Sequence, residues 1–506
     1  MRAASLRSVT RSTRVVGALA ALAFVAACSG GGSITGGSPT TSAATSTSGG
    51  STADTSASTV PATSTTIADT LPDCPTDALA SATAPVQITF WHGMTGPLND
   101  EMIKLTDAYN ASQTKVKVKL VQASYETTTD NYLQAKQADR PDMVQLPEYT
   151  VQSIIDTKST VSLNKCIATA KYDTSKFLQT ALDAYASGGV QRAMPFNISN
   201  PVLFYNKQAF TKAGLDPNKP PASLDDLQAM SKKIVDSGAA TYGLALDTGF
   251  DSGGGWYIEQ WFAKAQKFYL DGDNGRTSRA TKVLYNNQTG VDLMTFLQKM
   301  LNDKLAVNVG DNSATGYDNL LKLADQKAPA AMTINTSAAL GPVLAVLAGG
   351  QFPNIKADDV GVGAMPGPDG KPGALIGGAA LWVVNSADPA RIAATWDYLT
   401  YLESAQTQST WAVATGYVPT RSDAFDLDPY KTTIAKDPRF AVAYQQLKDT
   451  PAGPTSVGPL TGPLREVRTV LANSVAAIFG GADPKASLDS AAQQANDLIA
   501  QYNARS

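Results

Sequence analysis

From residue 86 onward the apolar positions switch between two periods. Residues 86–91 (VQITFW) form a compact apolar run of strand length, and residues 115–121 (KVKVKLV) alternate lysine with aliphatic side chains, the period of a half-buried strand. Between them Leu98, Met102, Leu105 and Tyr109 recur at helical spacing. Residues 132–140 also read as a helix, ended by Pro141, and residues 142–146 (DMVQL) as a short buried strand. Strand–helix–strand–helix–strand predicts a parallel sheet covered by helices. The pattern restarts after Pro195. Residues 202–205 (VLFY) predict a strand, and Ser223 ahead of Leu224-Asp225-Asp226 predicts a helix N-cap with acids in its first turn. Further buried strands are expected at 331–334 and 381–384, and amphipathic helices at 388–403 and 463–480. The fold class expected is α/β in two lobes.

The first 84 residues follow neither period. A leader with four arginines (Arg2, Arg7, Arg11, Arg14) and no acid precedes VVGALAALAFVAACSGGG, an apolar run too short to span a bilayer as a helix. Basic, apolar and small-residue segments in that order predict a secretory signal over residues 1–27. Val25-Ala26-Ala27-Cys28 resembles a bacterial lipobox, which implies that Cys28 becomes the first mature residue and carries lipid; the alternative is an ordinary secreted protein with a chance cysteine there. Residues 28–84, dominated by Ser, Thr, Gly, Ala and Pro, are expected to be a disordered tether. The location expected is therefore the outer face of the cell membrane, outside the cytoplasm.

The remainder is long enough for two lobes, each with its own core. Net charge is −3 and the basic residues are scattered, so a nucleic-acid surface is not expected. Cys74 and Cys166 are left over in an exported chain; a disulfide is the default and two free thiols the alternative. With one histidine, His92, and no CxxC or HxxxH pair, no metal or cofactor is expected. A Ser-His-Asp triad would have to use His92. No GxSxG elbow, P-loop or strand-borne GxGxxG is present, whereas paired carboxylates leave no local signature. The better lead is a set of aromatic residues in turn-like segments, Tyr125, Tyr149, Trp256, Trp261, Trp411 and Tyr417, because clefts in α/β proteins form at strand ends. Any one of them can equally be core packing.

Five segments in order carry a family resemblance: ITFWHGMTG around Trp91, PFNISNPVLFYNKQAFTKAGLD at 195–216, AMTIN at 331–335, LIGGAALWVV at 375–384 and ATGYVPT at 414–420. Together they resemble the extracellular solute-binding proteins (family 1) of bacterial ABC importers, with the glycerol-3-phosphate and glycerophosphodiester binders most similar. The resemblance implies a two-lobe periplasmic-binding-protein-like fold whose interlobe cleft closes on a small solute and delivers it to permease subunits. It implies a monomer and no enzymatic turnover. Its ligand contacts map onto Tyr125, Glu148, Ser199, Trp256, Thr336 with its neighbour Ser337, Gly378, Tyr417 and Arg468. Lobe 1 would comprise 86–195 plus 360–428, and lobe 2 would comprise 200–355 plus 429–506.

These residue types suit a phosphate ester. Glu148 can accept from two glycerol hydroxyls, and Arg468 can make a charge-assisted bond to phosphate. The blander readings are a helix N-terminal acid for Glu148, an ion pair with Glu466 for Arg468 and a tight turn for Gly378. One departure concerns size. Family members with glycerol-3-phosphate carry two tryptophans in the loop after the GY strand. Trp256 matches the second, whereas Phe250, Asp251 and Ser252 stand where the first would be. A missing ring widens the pocket and implies a glycerophosphodiester such as glycerophosphocholine, whose ammonium an aromatic face can hold. The alternative solute is a neutral sugar or oligosaccharide, for which Arg468 would be dispensable. An exported glycerophosphodiester hydrolase is a third reading, which would need a metal or general base near the phosphate.

Overall fold

A computed structural model describes residues 69–314 and 316–505. The signal segment 1–27, Cys28 and the tether up to residue 68 lie outside the described residues. Ten strands build two five-stranded sheets. In chain order they are β1 (Val86–His92), β2 (Val116–Gln122), β3 (Met143–Pro147), β4 (Met194–Ser199), β5 (Pro201–Asn206), β6 (Tyr242–Leu246), β7 (Ala306–Asn308), β8 (Ala330–Thr336), β9 (Val360–Ala364) and β10 (Gly377–Val383). The first sheet runs β2-β1-β3-β10-β4 and the second β9-β5-β8-β6-β7. The parallel pairs β1–β2 and β1–β3 come from strand–helix–strand units, while β10 enters antiparallel to both β3 and β4. That insertion follows from topology: β10 arrives from the second lobe and need not obey the crossover rule.

Each lobe has its own core, with a third apolar cluster between them. Helix ends follow local chemistry. Ser223 caps its helix through a reciprocal capping box with Asp226, satisfying two otherwise orphaned backbone donors. The helix expected at 132–140 instead spans Tyr125–Gln134, because Ser124 accepts from the Thr127 N–H and caps it earlier.

Boundaries expected from the sequence shift as well. The return to lobe 1 comes later than the expected residue 360: Val360–Ala364 pairs antiparallel with β5 as the edge of the second sheet, and the first sheet is re-entered only at Gly377. A VGVGA strand lacks the bulky side chains that mark a strand in sequence. The tether ends earlier than the expected residue 84, because residues 69–81 are held on lobe 1. Cys74 and Cys166 are disulfide-bonded, Lys165 donates to the Leu71 carbonyl (2.6 Å), and the Ser162 hydroxyl bonds the Asp69 carboxylate.

The chain crosses between the lobes at Asn200, through residues 365–376, and near Asp437: the helix Tyr430–Lys436 still packs on the lobe 1 helix Ala405–Thr415, so the boundary expected at 428/429 comes too early, whereas the helix Val442–Lys448 already packs on β5 and β9. Gln446 on that helix ties the first two crossings together. Its amide nitrogen donates to the Asn200 side chain and the Pro201 carbonyl (2.8 Å each), and its oxygen accepts the Met365 N–H (2.7 Å). Among the described residues no helix is long and apolar enough to cross a membrane.

Candidate functional site

The site is built where β4 ends and the lobes meet. Asn197 on β4 is fully buried; it accepts from Gln145 (2.7 Å) and donates to the Tyr125 hydroxyl (2.6 Å). The Tyr417 hydroxyl joins the same cluster. Gln145 also accepts the Gly93 N–H at 2.9 Å. The Tyr125 ring lies so close over Gly93 that a Cβ there would come within 2.2 Å of it, so this position requires glycine. Burial raises the Tyr125 and Tyr417 hydroxyls above the ordinary phenol range, leaving both as neutral hydrogen-bonding groups at neutral pH.

Trp256 reaches across from lobe 2. It opens the helix Trp256–Lys264, in which all nine residues are buried. Its indole packs on Gly377, where an added Cβ would meet the ring at 2.3 Å, and Gly377 pairs in register with Ser199. Gly378 adopts φ +91° against the Asn197 carbonyl, a close approach that only glycine allows. The same helix grips the second crossing: Trp261 donates to the Pro366 carbonyl (2.9 Å) and Gln260 accepts the Leu375 N–H (2.7 Å).

Arg468 lies on the helix Leu464–Phe479 and is 2% exposed. It does not pair with Glu466. Its Nε and Nη2 donate to the two carboxylate oxygens of Glu259 (2.7 and 2.8 Å), and its Nη1 donates to Glu148 (2.9 Å) across the interlobe boundary. A guanidinium has five N–H groups, so two remain to offer. Burial opposes the charge on Arg468, but the carboxylates of Glu259 and Glu148 more than offset it and hold its pKa above the ordinary value. Glu148 is pushed up by burial, and Arg468 restrains that shift. Glu148 also opens the 3-10 turn Glu148–Thr150, so its helix-terminal role and its ion pair coexist.

Around the triad stand residues that sequence reasoning missed or undervalued. Glu259 was overlooked, although an acid inside the apolar run WYIEQWFAK is itself a signal of a buried partner. Tyr185, also overlooked, is fully buried beside Glu148 and Tyr417, and its hydroxyl has no partner among the described residues. The Trp256 indole N–H is likewise buried and unpartnered among them. Tyr149 faces Phe250 across the lobes (centroids 6.4 Å, 72°) and lies 5.7 Å from the Arg468 guanidinium carbon. Phe250 thus takes an interlobe aromatic position, while the Ser252 hydroxyl turns to bond Asp247. That carboxylate also accepts from the Gly249, Gly253 and Asn319 N–H groups (3.1, 2.9 and 3.1 Å), fixing the glycine-rich loop, and burial pushes its pKa up to about 6.

Thr336 and Ser337 stand at the first crossing, where their hydroxyls accept from the Ala338 and Asn200 N–H groups. Trp261 and Trp411 are core residues; Trp411 stacks between Phe196 and Tyr417. Among the described residues no group of three or more His, Cys, Asp or Glu is placed to hold a metal ion.

Residues 104–442 match the family model of bacterial extracellular solute-binding proteins. The chain is 29% identical over 439 residues to the sn-glycerol-3-phosphate-binding periplasmic protein UgpB of Pectobacterium atrosepticum, covering 84% of this chain and 93% of the relative. The corresponding Escherichia coli K12 protein is 28% identical, with 84% and 95% covered. Among solved structures, UgpB from Mycobacterium tuberculosis in complex with glycerophosphocholine superposes with TM-score 0.66 at 20% identity, covering 83% of this chain and 99% of that one. The cyclic α-maltosyl-1,6-maltose binding protein of Arthrobacter globiformis gives TM-score 0.66 at 21% identity, with 82% and 99% covered. The two-lobe solute-binding fold is thus shared with proteins for both phosphate esters and sugars.

Proposed function

The chain belongs to the bacterial extracellular solute-binding proteins, the solute-capturing components of ABC importers, and from that premise we propose that its solute is a glycerophosphodiester with a cationic head, of which glycerophosphocholine is the type, with sn-glycerol-3-phosphate as the weaker ligand. The observation that carries this choice is the Arg468 triad. Two carboxylates already face one guanidinium, leaving an excess of negative charge at the site. A phosphate monoester brings about −1.5 to −2 at neutral pH. A phosphodiester brings a single negative charge, and a quaternary ammonium on the same molecule cancels it. The two free N–H groups of Arg468 suit one phosphodiester oxygen pair. The rings of Tyr125, Tyr149 and Trp256 offer faces for the ammonium, and the Tyr185 hydroxyl and Trp256 N–H offer buried donors still without partners.

On this reading the solute enters an open cleft, contacts from both lobes favour the closed form, and the permease receives the closed form. The protein turns nothing over. Lipid on Cys28 and residues 29–68 keep it beside the permease on the outer face of the membrane. A neutral sugar is the second reading, favoured by one observation: Arg468 is already paired.

Calorimetric titration of the purified protein with glycerophosphocholine, glycerol-3-phosphate, maltose and trehalose tests both. The expected result is one site per chain, tighter for glycerophosphocholine than for glycerol-3-phosphate, with no heat from the sugars. Binding of sugars alone overturns the phosphate reading and leaves the family role standing.

A further inference from the structure

Lobe 2 carries a left-handed turn. Gly272, Asp273, Asn274 and Gly275 take φ +59°, +53°, +62° and +76° in succession. Side chains other than glycine adopt that conformation at a cost, so such a run persists only where its surroundings fix it. Here they do. The Asp271 carboxylate accepts the Thr281 and Lys282 N–H groups (2.7 and 3.1 Å) and closes the loop at its base. The Asn274 side chain accepts the Tyr269 and Leu270 N–H groups (2.7 and 3.0 Å) and donates to the Pro454 carbonyl (3.2 Å). At Gly275 an added Cβ would come within 2.0 Å of the Leu460 carbonyl oxygen.

The turn delivers two arginines, three positions apart, to lobe 1. Nη1 of Arg276 donates to the carbonyls of Ala184 and Ala186 (3.2 and 3.1 Å), on either side of Tyr185. Its Nε and Nη2 donate to the Gly458 and Val457 carbonyls of lobe 2 (3.1 and 2.7 Å). A guanidinium has five N–H groups, and this one spends all but one on main-chain carbonyls. Burial lowers its pKa only to about 10, so it remains a cation at neutral pH. Arg279 pairs through Nη1 and Nη2 with both oxygens of Asp156 on lobe 1, while its Nε donates to Asn503 of the C-terminal helix (2.8 Å). The Tyr502 hydroxyl donates to the same carboxylate (2.9 Å). Asp156 lies on the helix Val151–Thr157, which continues directly from the turn that Glu148 opens. None of these residues belongs to a crossing, so the bonds must part when the lobes separate. None of the bonds needs a solute atom.

We infer that Arg276 and Arg279 latch the closed form: they hold lobe 1 to lobe 2 without reading the solute, and so set how tightly any solute is held but not which one is chosen. The latch presupposes the closure described above and no particular solute. Its bonds form in the empty protein as well, so it biases the solute-free chain toward closure, and its loss weakens every solute by one common factor.

The variants are Arg276→Gln, Arg279→Gln, Asp156→Asn and the double variant Arg276→Gln/Arg279→Gln. Arg276 also braces Val457 and Gly458 inside lobe 2, whereas Arg279→Gln and Asp156→Asn act on the pair that spans the lobes. Small-angle X-ray scattering reads the solute-free chain, and calorimetric titration reads glycerophosphocholine and glycerol-3-phosphate. The double variant should have a larger radius of gyration than the parent and contract to the parent's value with saturating glycerophosphocholine. Arg279→Gln and Asp156→Asn should each weaken both esters by up to about fivefold, and Arg276→Gln by at least about tenfold, with the ratio of the two dissociation constants held within about twofold. An unchanged radius in the double variant overturns the latch, and closure itself stands if glycerophosphocholine still contracts that variant. Undiminished affinity in all variants overturns the latch too, as does a shifted ester ratio, which marks a solute contact. If neither ester binds the parent protein, the phosphodiester reading has failed on its own and the radius of the solute-free double variant decides the latch.

Discussion

Glu259→Gln isolates the triad. Glu259 is 1% exposed and accepts two charge-assisted bonds from Arg468. Glutamine keeps the shape but turns an amide N–H₂ toward a guanidinium N–H, so one bond is lost and the other becomes neutral. Removing one partner of a buried pair costs about 3–5 kcal/mol; glutamine's remaining bond and the retained Glu148 set the expectation at the lower end, about 3 kcal/mol. Unfolding entropy is about 2.1 cal/mol/K per residue, roughly 0.9 kcal/mol/K for the two lobes together, so the melting point should fall by about 3 °C. Binding should shift in the opposite sense for anions. With an effective dielectric constant of about 20 and a charge separation of about 7 Å, each unit of ligand charge is worth about 2 kcal/mol. The monoester carries nearly one more negative charge than the diester, so the ratio of their dissociation constants should move roughly thirtyfold toward glycerol-3-phosphate. Differential scanning fluorimetry and calorimetric titration of both esters read the two numbers. An unchanged ratio with an unchanged melting point would refute the claim that Glu259 sets the charge state of the site.

Glu403 is fully buried, accepts from the Thr420 hydroxyl (2.8 Å), and burial pushes its pKa up to about 8. The folded protein therefore holds this proton over a range where the unfolded chain has lost it, and stability falls as pH rises from about 4.5 to 8. Glu403→Gln should remove on the order of 4 kcal/mol of that fall, measured as urea stability at pH 5 and pH 8.5. Lys264 packs its stem against Gly367 and its backbone against Gly373 of the second crossing, and burial lowers its pKa to about 8. The buried charge costs stability below pH 8, and the cost disappears as pH rises toward 10.5. Lys264→Met should thus stabilise the protein by up to about 3 kcal/mol at pH 7 and by nothing measurable near pH 11. Reduction of Cys74–Cys166, separated by 92 residues, should cost about 4–5 kcal/mol in the chain-entropy account. Ligand affinity should be unchanged, because the bond lies within lobe 1; a large loss of affinity would place the cysteines in the binding machinery.

Much of the frame was legible because it rests on local rules. Alternation in KVKVKLV, the Ser223 cap and the apolar runs before Asn206 and after Gly377 all became the elements expected of them. The edge strand Val360–Ala364 was not legible: its glycines carry no apolar signal, and pairing with β5 supplies what its side chains lack. Glu148 and Arg468 could each be singled out, but their bond spans 320 positions and joins two lobes, which no local pattern encodes. Arg468's other partner lies 209 positions away inside an apolar helix, where hydrophobic patterning argues for core and hides the acid. Asn197 stood within a quoted motif, and only the fold reveals that its amide joins Gln145 to Tyr125.

The fastening of residues 69–81 has a mechanical consequence. The chain enters the folded body through Asp69, Leu71 and Cys74, all secured to the helix Leu163–Ala170 and its Ser162 cap. Tension arriving from the N-terminal side is therefore grounded in lobe 1 and has no path through Asn200, residues 365–376 or Gln446. The interlobe crossings stay slack under load. A pull applied between Cys74 and the C-terminal helix would be needed to pry the lobes apart.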